Sequence, residues 1–175
     1  REDEEVKKEL RKILEDHKRR VEDWKRRLKK NLEEHRRRVE EWKRRLDELL
    51  EKVRRAGLPE EVLRELEKVV REIKERIDRL DEEYEDLLRK IEEEAEEMNR
   101  RLEELVRELE RLIERKDLSE EEIKRVIERL ARDARRINER LRELLERLSE
   151  ISERINREIE KIIDEARERL EREER

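Results

Sequence analysis

The sequence predicts an all-α protein, a single-chain antiparallel three-helix bundle running up, down and up. Three observations lead there. Of 175 residues, 62% are charged and 31% hydrophobic, a balance that favours disorder unless the apolar residues are regularly spaced; here they recur at steps of 3 and 4 among strong helix formers. The single Gly and single Pro are Gly57 and Pro59, close together in one segment. Only AGLPEE (56–61) and KDLSEEE (116–122) interrupt the pattern.

The first helix is expected near 2–55. Its apolar seam reads Val21, Trp24, Leu28, Leu32 and then Val39, Trp42, Leu46, Leu50, with His17 and His35 in line. It repeats itself: HKRRVEDWKRRLKKNLEE (17–34) is followed by HRRRVEEWKRRLDELLEK (35–52). Eighteen residues completing five turns match the natural 3.6 residues per turn, so the helices should run almost straight, with near-zero supercoil. Gly57 can end this helix in the left-handed conformation, and Pro59 can sit in the first turn of the next.

The second helix, near 59–115, keeps the cadence in Leu66, Val70, Ile73, Ile77 and Tyr84, Leu88, Ile91, Ala95. Ser119 and Glu122 have capping-box spacing and open a third helix near 119–172, whose seam includes Leu141, Leu145, Leu148 and Ile159, Ile163, Ala166. Connections this short force neighbouring helices to reverse. Residues 1–175 read as one domain, each helix roughly 80 Å long at 1.5 Å per residue.

Charge narrows the function classes. With 52 basic and 57 acidic side chains the net is −5, too small to steer the chain to nucleic acid or a membrane; the RRR and KRR clusters read as solvated flanks. Without cysteine there is no disulfide framework, thiolate metal site or thiol nucleophile, and the localisation stays unknown. No apolar run approaches the roughly 20 residues of a membrane span and no signal-peptide core stands at the start, so the reading is a soluble chain without an address. Residues 1–55 carry 22 basic and 16 acidic side chains, and residues 60–115 carry 13 and 22. Nets of +6 and −9 favour pairing these two helices with each other.

The eighteen-residue period, the Gly and Pro confined to one connection, the GLPEE and DLSEE joins and the solvent faces written in Glu, Arg and Lys together resemble a computationally (de novo) designed helical bundle. The resemblance covers the whole chain. It implies that buried polar side chains are joined across the core by hydrogen bonds.

Chain reversal near Gly57 pairs first- and second-helix residues whose numbers total about 115, and reversal near Asp117 gives about 235 for the second and third. Three polar levels follow. His17 meets Asn99 and Asn138, with Met98 beside them; His35 meets Asp81 and Asn156; Asn31 meets Tyr84 and Ser152. Left alone, such groups in a core cost about 1–3 kcal/mol each. Together they form an expected structural network that specifies helix register more than it stabilises.

Sharper readings compete with this one. His35, Asp81 and Ser152 have the residue types of a hydrolytic triad, but a slim bundle with large side chains packed between the layers offers little room for a pocket, oxyanion donors and a substrate path. His35 and Asp81 are zinc-ligand types, yet two ligands fall short of the three or four that zinc wants. The two Trp residues read as core filling. His17 among amides should have a lowered pKa and His35 beside Asp81 a raised one, so their pH effects should oppose. Extra apolar positions, Ile13, Leu49, Val62, Leu63, Val69, Leu87 and Leu105, leave room for self-association or a partner helix. The sequence reading is a non-enzymatic structural scaffold, monomeric, with no cofactor, metal or required partner. A helical interaction module and a histidine-based pH-responsive bundle are its alternatives.

Overall fold

The computed structural model describes residues 2–175, with side chains from Asp3 onward. The described residues form three helices, α1 (Glu2–Arg55), α2 (Glu60–Glu114) and α3 (Glu120–Glu174), and no strand. Each helix packs against the other two, so the expected three-helix bundle is the fold.

The connections follow local chemistry. Gly57 has φ of 65°, a left-handed conformation that costs Gly nothing because it lacks a Cβ. Pro59 lies just ahead of α2 rather than inside its first turn: its carbonyl accepts the Leu63 N–H at 3.0 Å, which makes it the capping residue. Ser119 caps α3 as its spacing predicts, its Oγ accepting the Glu122 N–H at 3.3 Å and satisfying one of the free amides at a helix start. The end of α2 falls at Glu114, as the break at KDLSEEE predicts to within a residue, but its closure has no glycine. Lys116 adopts φ of 57°, and the Asp117 and Lys116 amides reach back to the Leu112 and Ile113 carbonyls at 3.4 and 3.1 Å. This is a Schellman closure with lysine where glycine is usual.

The chain divides into two compact units, Arg1–Lys29 with Arg89–Arg147, and Lys30–Leu88 with Leu148–Arg175. In the first, Leu10, Leu102, Val106, Leu109, Ile113, Ile123 and Leu130 form an apolar cluster. In the second, Leu46, Ile77, Tyr84, Leu148, Ile159 and Ile163 are among the most deeply buried side chains. Each fully buried aliphatic side chain contributes about 1.5–3 kcal/mol. The seam is legible with small corrections: Leu32, Leu50 and Leu145 are half-buried, while Leu49, read as an extra, is core.

Ion pairs record the register. In the first unit Lys7–Glu114, Arg11–Glu110 and Lys18–Glu103 join α1 to α2 at 2.8, 3.4 and 3.9 Å. In the second, Arg36–Glu85, Lys43–Asp78 and Arg54–Glu67 do so at 3.7, 2.6 and 3.7 Å, together with Lys74–Asp47. In every pair the two residue numbers total 121, and α1 supplies the cation except at Asp47. Between α2 and α3, Glu94–Arg140 at 3.1 Å, Arg76–Glu158 and Glu65–Arg169 all total 234. Exposed pairs are worth about 0–1 kcal/mol each. As a repeated set they realise the basic-to-acidic matching of α1 and α2 that composition predicts.

Candidate functional site

Among the described residues, two histidines are the buried polar side chains of the core, His17 at 2% exposure and His35 at 1%. Each sits at the centre of the α1 seam and meets α2 through one ring nitrogen. His17 Nε2 donates to Asn99 Oδ1 at 2.6 Å, and His35 Nε2 donates to Asp81 Oδ1 at 2.7 Å. A carboxylate only accepts, which fixes Nε2 as the protonated nitrogen of neutral His35. In both rings Nδ1 is buried without a hydrogen-bond partner.

The geometry of α2 makes these pairs. Between Ala95 and Leu102, and again between Ile77 and Tyr84, the buried positions are seven residues apart, so the two residues midway straddle the seam, about 100° apart. At both places they are an apolar–polar couple, Met98 with Asn99 and Leu80 with Asp81. The polar member of each bonds to α1, while Met98 lines a depression with Leu102, Leu105 and Ile137 of α3.

The third helix does not complete the expected layers. Asn138 and Asn156 are half-buried and bonded to neither histidine. The cause is register. Totals of 115 and 235 place α3 numbers 120 above their α1 neighbours, whereas Trp24–Leu141, Asn31–Ser149, Arg38–Glu153 and Arg45–Glu160 lie 115 to 118 apart. Asn138 therefore falls beyond His17, in a recess with Arg20 and Trp24. The third level divides as well. Asn31 Nδ2 donates to Ser149 Oγ at 3.4 Å, and the Tyr84 hydroxyl donates to the Asn31 carbonyl at 3.5 Å. Ser152 Oγ accepts from Arg38 at 3.2 Å instead of joining them.

Two further contacts were not read from the sequence. The Tyr84 ring stacks on His35 with centroids 3.9 Å apart and planes inclined by 22°. Trp24 Nε1 donates to the Leu141 carbonyl at 2.7 Å. That bond links two helices through a mid-helix carbonyl already used by its own ladder, and a side chain with one indole donor gives no sequence mark of it.

Burial sets the electrostatics. Both histidine pKa values lie below the ordinary 6.5, chiefly because burial penalises the cation, with the Asn99 and Asp81 bonds opposing. The expected rise at His35 is therefore overturned. Its one bond to Asp81 is made by the proton that the neutral ring already carries; a second proton would sit on buried, partnerless Nδ1. Burial also pushes the Tyr84 hydroxyl up to about 12.

The chemistry on offer is limited. Ser152 is held by Arg38, not by His35, so His35, Asp81 and Ser152 do not assemble as a triad. Among the described residues no three His, Asp or Glu side chains converge to hold a metal, and no helix is long and apolar enough to cross a membrane. The chain matches no protein-family model, curated protein or solved structure.

Proposed function

We propose that the protein is a de novo designed structural bundle, monomeric and non-enzymatic, in which the two histidine bonds fix the stretch of α1 that lies against each stretch of α2. One observation carries this reading: residue numbers total 116 in both bonds, each made by a buried imidazole to the polar member of a straddling couple. A slip of one helical turn sets His17 against Ala95 or Leu102 and His35 against Ile77 or Tyr84, leaving two buried N–H groups unmatched at about 1–3 kcal/mol each.

A slip of a whole eighteen-residue repeat is subtler. It keeps one histidine bonded, since His35 then meets Asn99 or His17 meets Asp81. The reversed pair Asp47–Lys74 penalises that slip in either direction by opposing Asp47 to Glu92 or Lys74 to Lys29. Like charges placed opposite in this way disfavour the wrong pairing.

Replacing His17, Asn99, His35 and Asp81 together by Leu tests the reading. A buried polar set exchanged for apolar side chains is expected to keep or raise stability while losing uniqueness: spin labels on α1 and α2 report more than one distance. A single wild-type distance in the variant refutes it. Light scattering at several concentrations tests the monomer, with 22.2 kDa expected throughout.

A second reading has its own support. Both histidines resist protonation for the same reason, so acid acts on both in the same sense and the bundle is pH-responsive. The groups facing His17 are Asn99, Arg20 and Glu103, and those facing His35 are Asp81, Glu85, Arg38 and Tyr84.

A further inference from the structure

The α1 repeat places two equivalent arginine pairs on its α3-facing side, Arg20 and Arg27 in the first unit and Arg38 and Arg45 in the second, each pair flanking a tryptophan. In the second unit α3 answers with acids. Arg38 bonds Glu153 at 2.9 Å and Ser152 at 3.2 Å, and Arg45 bonds Glu160 at 2.6 Å. Those side chains are consequently held close, Arg45 being 18% exposed and Arg38 24%.

Eighteen residues earlier on α3, the counterparts of Glu153 and Glu160 are Arg135 and Arg142. Carried back one repeat, the spacing of 115 that joins Arg38 to Glu153 and Arg45 to Glu160 matches Arg20 with Arg135 and Arg27 with Arg142 by number, and Arg27 and Arg142 do line one recess. Arg20, Arg27, Arg142 and the half-buried Asn138 line a recess of about 230 Å³ floored by Trp24 and Leu145. Its one lining acid, Asp23, contacts Arg27 at 3.4 Å. Among the described residues no ion pair reaches Arg20, Arg135 or Arg142. Glu139 and Glu146 lie one turn from Arg142 along α3 and are exposed.

We propose that this recess binds a free, multiply charged oxyanion of the phosphate class, which supplies the negative charge that Glu153 and Glu160 supply at the equivalent place. Guanidinium groups suit the ligand because each offers a planar fork of donors to adjacent oxygens, and the Asn138 amide adds a neutral donor at the floor. Several cations held near one another with few acids between them also retain a field that attracts an anion at low salt.

Trp24 is a built-in reporter, since its Nε1–H bonds the carbonyl of Leu141, next to Arg142. The test titrates inorganic phosphate and pyrophosphate into the ¹⁵N-labelled full chain at low ionic strength and follows the two indole N–H signals. A saturable shift at Trp24, with Trp42 unmoved, is expected. Arg142→Glu, which installs the charge of the second unit, should weaken binding at least tenfold. Glu160→Arg should create a phosphate response at Trp42. Neither site is in the core, and helicity by circular dichroism verifies both folds. The proposal is overturned by a linear shift that chloride of equal ionic strength reproduces, by wild-type affinity in Arg142→Glu, or by a response to phosphatidic acid vesicles alone.

Discussion

The phrases HKRRVEDWKRRL and HRRRVEEWKRRL lie on one helix and differ at two positions, yet they do different things in the two units. In the second unit His35 is roofed by the Tyr84 ring and held by a carboxylate, while Arg38 and Arg45 are tied to α3 acids. In the first, His17 has an amide partner and lines a cleft of about 540 Å³ with Val21, Asn99 and charged neighbours, while Arg20 and Arg27 are exposed. A repeat in one helix therefore fixes positions and periodicity. The environment of each position is decided by what α2 and α3 carry opposite.

The largest break in this contrast should come from Tyr84. Tyr84→Ala removes the ring over His35 and leaves a void where a side chain was 1% exposed, at an expected cost of about 3–5 kcal/mol in chemical denaturation. Tyr84→Phe keeps the stack and loses a bond of 3.5 Å, so less than about 1 kcal/mol is expected. Equal losses for the two would remove the ring from the account. Because this is the chain's one tyrosine, absorbance at alkaline pH reads it directly: ionisation near 12 in the folded protein against about 10 in denaturant.

Next come the acceptors. Asp81→Ala and Asn99→Ala each strand a buried N–H, in the range of about 1–3 kcal/mol. The loss should be greater at Asp81, because Tyr84 closes that site, whereas the cleft beside His17 admits water as a substitute partner. Denaturation midpoints at pH 7.5 measure this. A larger loss at Asn99 would reverse the assignment of closed and open layers.

Acid should weaken both layers together. A histidine whose folded pKa lies below its unfolded value binds fewer protons folded than unfolded, so its contribution is complete above about 6.5 and declines as pH falls below it. Both shifts have this direction, so stability should fall between pH 6.5 and 5. His17→Leu with Asn99→Leu should remove part of the slope, and the corresponding change at His35 and Asp81 the rest. Stability that rises on acidification through this window would show that the Asp81 carboxylate outweighs burial after all.

How much of this could be read in advance follows from the physics of each feature. Helix positions were legible because Gly57, Pro59 and Ser119 act locally and the apolar steps of 3 and 4 need no partner to be recognised. His17–Asn99 and His35–Asp81 were legible because an antiparallel pair joined by a short turn has a register fixed by the turn. The α3 side was not, because an α1–α3 estimate adds the errors of two turns. An error of two to five residues carries Asn138 and Asn156 out of the layers and separates Ser152 from Asn31. The His35 pKa failed for a different reason: adjacency to a carboxylate was legible, but the burial of Nδ1 required coordinates.

The smallest expected effect tests the comparison most directly, because it exchanges the two units' charges without touching the core. Arg142→Glu places an acid 115 positions beyond Arg27, as Glu160 stands to Arg45 at 2.6 Å, and should stabilise the chain by a few tenths to about 1 kcal/mol. Glu160→Arg should cost a similar amount, because Arg45 loses its closer partner, keeping only Asp164 at 3.7 Å, and gains a like charge. Both effects should shrink as salt is raised from 0.01 to about 1 M, where the screening length falls to about 3 Å. The pairing is a surface interaction, and helix propensity scarcely distinguishes Arg from Glu. If the two substitutions shift stability in the same direction, or if salt leaves the difference intact, charge across the α1–α3 flank is not what separates the units.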